Sequence, residues 1–286
     1  NLIVLMLFAM ITWGIAWTNA KIVGEYLGYY NLVFLRFLLG FLALLPFILT
    51  KLNSFKNIPF LTLINIFSMG ILFFIYNYCF FKGTNLGNSG YGGVLVTTTN
   101  PVITFLIISA ITQKISLNKI LGLMLGILGG LIIMDVFNQG MIHILDVQNK
   151  YFISCSIVWG IMTVIMSYGQ DKMDSLLYIA SCYFITTVIS IGFINFEEIL
   201  GIVNFDFRFF INFFLVSMGA MSFGTSIYIY ATPRLGPIQT SVFIFSVPFI
   251  ALYTAHLVLG ESITANVVVG GVLSILSIII INYEKD

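Results

Sequence analysis

The sequence predicts an all-α integral membrane protein whose ten transmembrane helices form two inverted five-helix repeats. Hydrophobic residues make up 59% of the 286 positions and charged residues 8%, with a mean hydropathy of +1.06. A soluble domain of that composition has too few polar groups to cover its surface. The apolar runs are continuous, about 20 residues long and without strand-like alternation, so helices satisfy the backbone in lipid. Five such runs lie on each side of a polar stretch at 135–150, and the two sets share matches in the same order.

Residues 2–20 read as a span rather than a cleaved signal, because no basic region precedes the apolar stretch and no small-residue cleavage site follows it. The second run, 31–50, contains Arg36; the third, 60–81, is rich in aromatics; the fourth, 90–112, is interrupted by threonines and Pro101. The fifth, 117–134, carries glycines at 122, 126, 129 and 130, a spacing suited to close helix contact. Beyond the polar stretch come 151–169, 175–195, 209–231, 237–259 with Pro248, and 264–282 with Gly270 and Gly271. The glycines are expected to join the fifth and tenth helices either to each other or to their own repeats. The chain accordingly divides into a first repeat at 1–135, a central loop at 136–150 and a second repeat at 151–286. The connections are short and leave no room for a soluble domain.

Orientation follows from basic residues on alternate loops. With both termini in the cytoplasm, the inner segments hold Lys51, Lys56, Lys114, Lys119, Lys172, Arg234 and Lys285, against Lys21, Lys82, Lys150 and Arg208 outside. A multi-pass protein of the cell membrane with both termini cytoplasmic is expected.

A duplication is visible in the sequence itself. Residues 68–87 (SMGILFFIYNYCFFKGTNLG) align without gaps to 217–236 (SMGAMSFGTSIYIYATPRLG), sharing Ser-Met-Gly at one end and Leu-Gly at the other. NPVITFLI at 100–107 meets VPFIALYT at 247–254, and Trp13-Gly14 meets Trp159-Gly160. An odd number of spans per half makes the second half inverted relative to the first, the plan of many transporters with a binding site near the midplane.

Composition also excludes partners. A net charge of +1 and the lack of a long basic cluster argue against nucleic acid. Cys79, Cys155 and Cys182 lie singly in apolar runs without CxxC spacing, which suggests neither a metal cage nor a disulfide framework. The expected partners are a small-molecule substrate and the lipid bilayer, with no cofactor and no metal, and the expected state is a monomer.

The chain resembles the EamA-type branch of the drug/metabolite transporter superfamily. In the second half the resemblance rests on ATPRLGPIQTSVFIFSVPFIALYTAHLVLGESIT, and in the first on TNLGNSGYGGVLVTTTNPVITFLI, on Leu35-Arg36-Phe37 and on LGLMLGILGGLIIM. It implies ten helices in two inverted repeats and the export or exchange of small metabolites. One departure is that the acidic residue expected after the fourth span is Lys114, while Glu261 fills the equivalent place in the second repeat. Relatives that move sugar phosphates or nucleotide sugars need cationic groups in the cavity. Arg36 and Lys82 both lie close enough to helix ends to snorkel, so an anionic cargo is disfavoured.

Candidate pathway residues are polar or amphipathic side chains inside the runs. Thr97, Thr98, Thr99 and Asn100 occupy nearly a full helical turn beside Pro101, so some of them face the bundle. Two readings stand: the threonines back-bond to carbonyls four residues earlier and relieve the kink, or Asn100 and one or two threonines meet cargo. Pro248 repeats the proline, and Ser246 supplies a lone hydroxyl beside it; both prolines are expected to act as gating kinks. Trp13 and Trp17 share a face of the first helix, and Trp13 has its counterpart in Trp159. Asn77, Tyr78, Thr225 and Tyr228 add polar tips to the third and eighth helices. His256 is the one histidine inside a run, where a structural role near the helix end competes with proton coupling.

No aspartate or glutamate falls in the middle of a run, so transport is not expected to rest on a buried carboxylate. The leading expectation is alternating-access transport of neutral, zwitterionic or amphiphilic metabolites such as amino acids. Efflux of drugs or toxic compounds is the alternative within the same class. An enzyme is not expected, since there is no HExxH motif and no paired intramembrane aspartates. A non-transporting receptor or scaffold would need larger exposed loops.

Overall fold

A computed structural model describes residues 2–51, 58–112, 117–140, 146–170 and 173–282. Among these residues the chain is helical, with no strand. The principal helices are α1 (Leu2–Val23), α2 (Tyr29–Leu49), α3 (Phe60–Leu86), α4 (Ser89–Thr112), α5 (Leu117–Ile133), α6 (Val147–Gly169), α7 (Ser175–Ile191), α8 (Phe207–Leu235), α9 (Pro237–Leu259) and α10 (Ala265–Asn282). Seven of them, α1 to α4, α6, α8 and α9, are long and apolar enough to cross a membrane. α7 makes an eighth span if it is counted together with Phe196–Asn204, to which it is bent by 114°. α5 and α10 contribute shorter apolar stretches, Ile120–Ile133 and Ala265–Ser277.

The sequence expectation of an unbroken run over 175–195 is corrected here. α7 ends at Ile191, and the chain turns at Gly192 before Asn195 caps the next short helix by accepting from the N–H groups of Glu197 and Glu198. A side-chain oxygen at that position meets orphan amides that would otherwise need water. Asp174 does the same for α7 through Leu176 and Leu177, and Asp206 for α8 through Phe209. At the other ends, Gly236 (φ 88°) and Gly260 (φ 68°) terminate α8 and the last turn of α9 in backbone conformations that side chains disfavour.

Two helices depart from α geometry. α8 is α-helical over Phe207–Phe214, π-helical over Leu215–Thr225 and α-helical again over Ser226–Leu235. α9 is interrupted by a 3-10 turn at Phe243–Ser246, and Pro248 then sits in the first turn of the resumed helix, where its missing N–H costs nothing. The expected kink at Pro248 is therefore a break completed before the proline.

The two halves interleave instead of standing side by side. α3 packs on α6, α2 on α7, α5 on α10, and α1 on both the π-helical segment and α9. The glycine alternatives are decided in favour of α5 meeting α10: Ser277 Oγ donates to Gly122 O at 2.6 Å, and Gly129 lies against the Gly270 carbonyl. Small residues there let the backbones approach closely. Large apolar side chains such as Leu7, Phe8, Phe67 and Phe249 point outward, as a lipid-facing surface requires. Polar residues turn inward, and most buried hydroxyls donate to a carbonyl three or four residues back, as Thr84, Thr186, Thr187 and Ser190 do. Cys79, Cys155 and Cys182 are buried and unpaired.

Candidate functional site

Helices from both halves enclose a chamber of about 40 Å³ in the middle of the bundle, room for a few water molecules. α1 contributes Trp13, Ala16 and Trp17, α3 contributes Phe73, Tyr76, Asn77 and Phe80, and α4 contributes Thr97 and Asn100. Trp159 of α6 and Met221 and Thr225 of α8 close the wall from the second half. The spacing of Phe73, Asn77 and Phe80, four and then three residues apart, puts all three on one face of α3.

Trp13 and Trp159 meet edge to face, with ring centroids 4.9 Å apart. Tyr228 lies behind them, 5.0 Å from Trp13 and 5.7 Å from Trp159, and its hydroxyl shares a hydrogen bond with Thr163 at 3.1 Å. Trp17 packs edge-on against Phe80 at 4.8 Å. The Trp13 indole donates across the halves to Ala220 O at 3.0 Å, and the Tyr183 hydroxyl donates to Met221 O at the same distance. Both carbonyls belong to the π-helical segment, where Thr225 Oγ1 also bonds back five residues to Ala220 O. Short π segments are frequent at functional sites. The aligned stretch of the first half runs through regular α-helix in α3, so the duplicated sequences have diverged in backbone.

Around Pro101 the threonines relieve the helix. Thr97, Thr98 and Thr99 donate to Gly93 O, Val94 O and Leu95 O, four residues earlier in each case. Thr99 also reaches Ser156 Oγ on α6 at 2.6 Å. With its amide nitrogen directed at α6, Asn100 donates to Val96 O at 3.1 Å and Ser156 O at 3.0 Å. The two readings of this stretch thus divide by residue. Back-bonding accounts for every threonine, while Thr97 and Asn100 additionally line the chamber.

Arg36 corrects the sequence reading. It does not snorkel: it is 6% exposed, lines the chamber, and lies over the rings of Phe80 and Phe81 at 5.3 and 5.6 Å. Its Nη1 donates to Asn77 Oδ1 at 2.6 Å, and Asn77 in turn donates to Phe73 O at 2.9 Å. The signal was present in the Leu35-Arg36-Phe37 triplet, but its depth was not, since only the packing of α3 against α2 shows that the guanidinium points inward. Lys82 donates to Tyr78 Oη at 2.8 Å near the end of α3.

Several sequence candidates stand away from the chamber. Tyr78 stacks on Tyr30 at 4.9 Å in an aromatic cluster near the ends of α2 and α3. Thr98 bonds back to Val94 O, Thr99 meets Ser156 of α6, and Ser246 bonds back to Phe243 O inside the 3-10 turn. His256 is exposed and its Nδ1 lies 2.9 Å from Glu261 O, a helix-end contact in keeping with the structural alternative. Pro248 lines a crevice with residues of α9 and α10 on the bundle surface.

A model of the EamA-like transporter family matches residues 1–135 and 149–283. The chain belongs to the EamA-like transporter family. Its fold is similar to that of a solved structure titled "Crystal structure of protein", at 13% identity and a TM-score of 0.67, covering 98% of this chain and 95% of that one. No curated protein matches.

In this EamA-like transporter, ion pairs between the halves lie at both ends of the bundle. At one end Lys21 Nζ meets Glu261 Oε1 at 3.0 Å and also donates to Gly87 O at 2.8 Å. The Glu261 carboxylate accepts from the backbone N–H groups of Ser89 and Gly90, each at 2.9 Å, and so caps the start of α4. A negative charge is favoured at a helix N-terminus. Glu261 thus makes a helix-end contact; Lys114, at the equivalent place in the first repeat, lies outside the described residues. At the other end Lys51 Nζ meets Asp174 Oδ2 at 2.5 Å. Burial acts to raise the Asp174 pKa, but the Lys51 hydrogen bond and charge and the amides of Leu176 and Leu177 outweigh it and hold the carboxyl below its ordinary 3.8.

Proposed function

We propose that this membrane transporter carries small amphiphilic metabolites through the chamber by alternating access. The observation that supports this most is a chamber walled by both halves and flanked at each end by an ion pair joining them. In the closed form described here it holds only a few waters, so cargo enters when the walls part at one end. We take α5 and α10 as further spans, completing ten in two inverted units at 1–135 and 151–286, joined by 136–150. The basic bias assigns the termini and the Lys51–Asp174 end to the cytoplasm.

In this reading α4 hinges near Pro101 and α9 near the break before Pro248, and the carrier works as a monomer in export or exchange. Amino acids are the first cargo to screen. Among the described residues the chamber wall contains no carboxylate, so transport proceeds without a carboxylate proton relay there. Counterflow of labelled solutes into proteoliposomes tests the proposal. Accelerated uptake driven by internal unlabelled solute is expected, with little change when a proton gradient is collapsed. Ligand binding without any flux would replace the carrier with a receptor.

A further inference from the structure

The chamber wall has an excess of hydrogen-bond donors and no negative charge to meet them. Arg36 offers five N–H donors on a planar fork. One of them is bound to Asn77 Oδ1, and Nε is buried without a partner. Among the described residues, no aspartate or glutamate lines the space. The described ion pairs, Lys21–Glu261, Lys51–Asp174 and Arg208–Glu25, leave Arg36 without a carboxylate. A cation held in the middle of a membrane protein without a counter-ion is expensive, and such residues mark pathways.

We propose that Arg36 is the receptor for a carboxylate on the cargo, and that the cargo is a monocarboxylate with an aromatic or aliphatic body. This rests on the carrier reading and narrows its substrate class. The guanidinium is held ready to bind: Asn77 fixes it from one side through a chain that ends on the Phe73 carbonyl, and the Phe80 and Phe81 rings fix its plane. A carboxylate accepts two parallel N–H bonds from such a fork, a geometry lysine does not reproduce. The body of the cargo then lies among Trp13, Trp17, Phe73 and Tyr76, where apolar and aromatic surface is favoured over water. An α-ammonium finds no carboxylate in this wall, so a zwitterion gains nothing from it. Anionic cargo is disfavoured only if Arg36 reaches a helix end, and its guanidinium instead points into the chamber.

The test uses the full chain in detergent micelles and calorimetric titration with four probes: 3-phenylpropionate, its neutral isostere 3-phenylpropionamide, phenylalanine and inorganic phosphate. We expect 3-phenylpropionate to bind at least as tightly as phenylalanine and about 10-fold or more tightly than the amide or phosphate. Arg36→Gln keeps a partner for Asn77 and should weaken the carboxylate about 10- to 100-fold while leaving the amide unchanged. Arg36→Lys should fall between. Thermal denaturation of each variant separates lost binding from lost folding. A purely structural Arg36 would lower stability without altering the ratio of carboxylate to amide affinity. The proposal is overturned if wild type binds the amide or phosphate as tightly as the carboxylate, if Arg36→Gln preserves the carboxylate preference, or if folded wild type binds no carboxylate. Flux separates the two claims. Carboxylate binding without flux defeats the carrier reading and leaves Arg36 in place, whereas flux of neutral solutes indifferent to Arg36→Gln does the reverse.

Discussion

Trp13 and Trp159, which occupy equivalent places in the two repeats, meet edge to face at 4.9 Å on the chamber wall. A duplicated residue touching its own counterpart puts the two repeats in register at the chamber. Trp13 is also tied to the π-helical segment through Ala220 O. Its two roles separate by substitution: Trp13→Phe keeps the ring and loses the N–H, costing about 1 kcal/mol, whereas Trp13→Ala also opens a void and costs about 3–5 kcal/mol. Thermal denaturation in detergent measures both, and equal losses would remove packing from the account.

Glu261 concentrates four acceptor contacts on one carboxylate, from Lys21 Nζ and from Ser89 N, Ser89 Oγ and Gly90 N. Glu261→Gln removes the charge from the start of α4 and from Lys21 while keeping the shape. A loss of about 1–3 kcal/mol is expected. A melting temperature equal to wild type would mean that the cap and the ion pair contribute nothing.

The α5–α10 contact gives a contrast between neighbouring glycines. A Cβ at Gly129 would lie 2.7 Å from Gly270 O, and backbone cannot swing aside as a side chain can. At Gly271 the nearest atom would be Val94 Cγ1 at 3.5 Å, an ordinary contact. Gly129→Ala should therefore destabilise by about 1–3 kcal/mol and Gly271→Ala by well under about 1 kcal/mol. The reverse order would mean that the two helices pack on different faces.

Asp174 supplies a pH dependence. Its folded-state pKa lies below the ordinary value of 3.8, so its stabilisation is complete at neutral pH and is lost as the pH falls through the depressed folded value. Asp174→Asn should lower the melting temperature at neutral pH, and the gap from wild type should close as the pH falls below the ordinary carboxylate range. A gap that stays constant from neutral pH down through the carboxylate range would show that the charge on Asp174 is not involved.

Much of the architecture was legible because hydrophobic run length reports directly on membrane spanning, and because repeat matches such as Trp13-Gly14 with Trp159-Gly160 survive in sequence. The chamber was legible in part. Trp13, Trp17, Asn77, Thr97, Asn100, Trp159 and Thr225 come together in it, since polar and indole groups inside apolar runs have few other places to go. His256 and Ser246 do not, because a single polar residue is as well served by a local carbonyl. Phe73, Tyr76 and Phe80 were hidden among 28 phenylalanines and 14 tyrosines. The π-helical turns of α8 leave no periodicity that a reading at about 3.6 residues per turn detects. Gly224, where a Cβ would meet Thr12 and Trp13, is the nearest thing to a sign of them.

The ion pairs between the halves differ in wetness. Side chains of Lys21 and Glu261 are 24% and 9% exposed, against 37% and 31% for Lys51 and Asp174. Mobile ions screen a hydrated pair far more than a sheltered one. Ionic strength therefore acts selectively: added salt weakens Arg208–Glu25, whose side chains are 52% and 47% exposed, and Lys51–Asp174 before it reaches the sheltered Lys21–Glu261 contact, which leaves Glu261 as the tie that persists in brine.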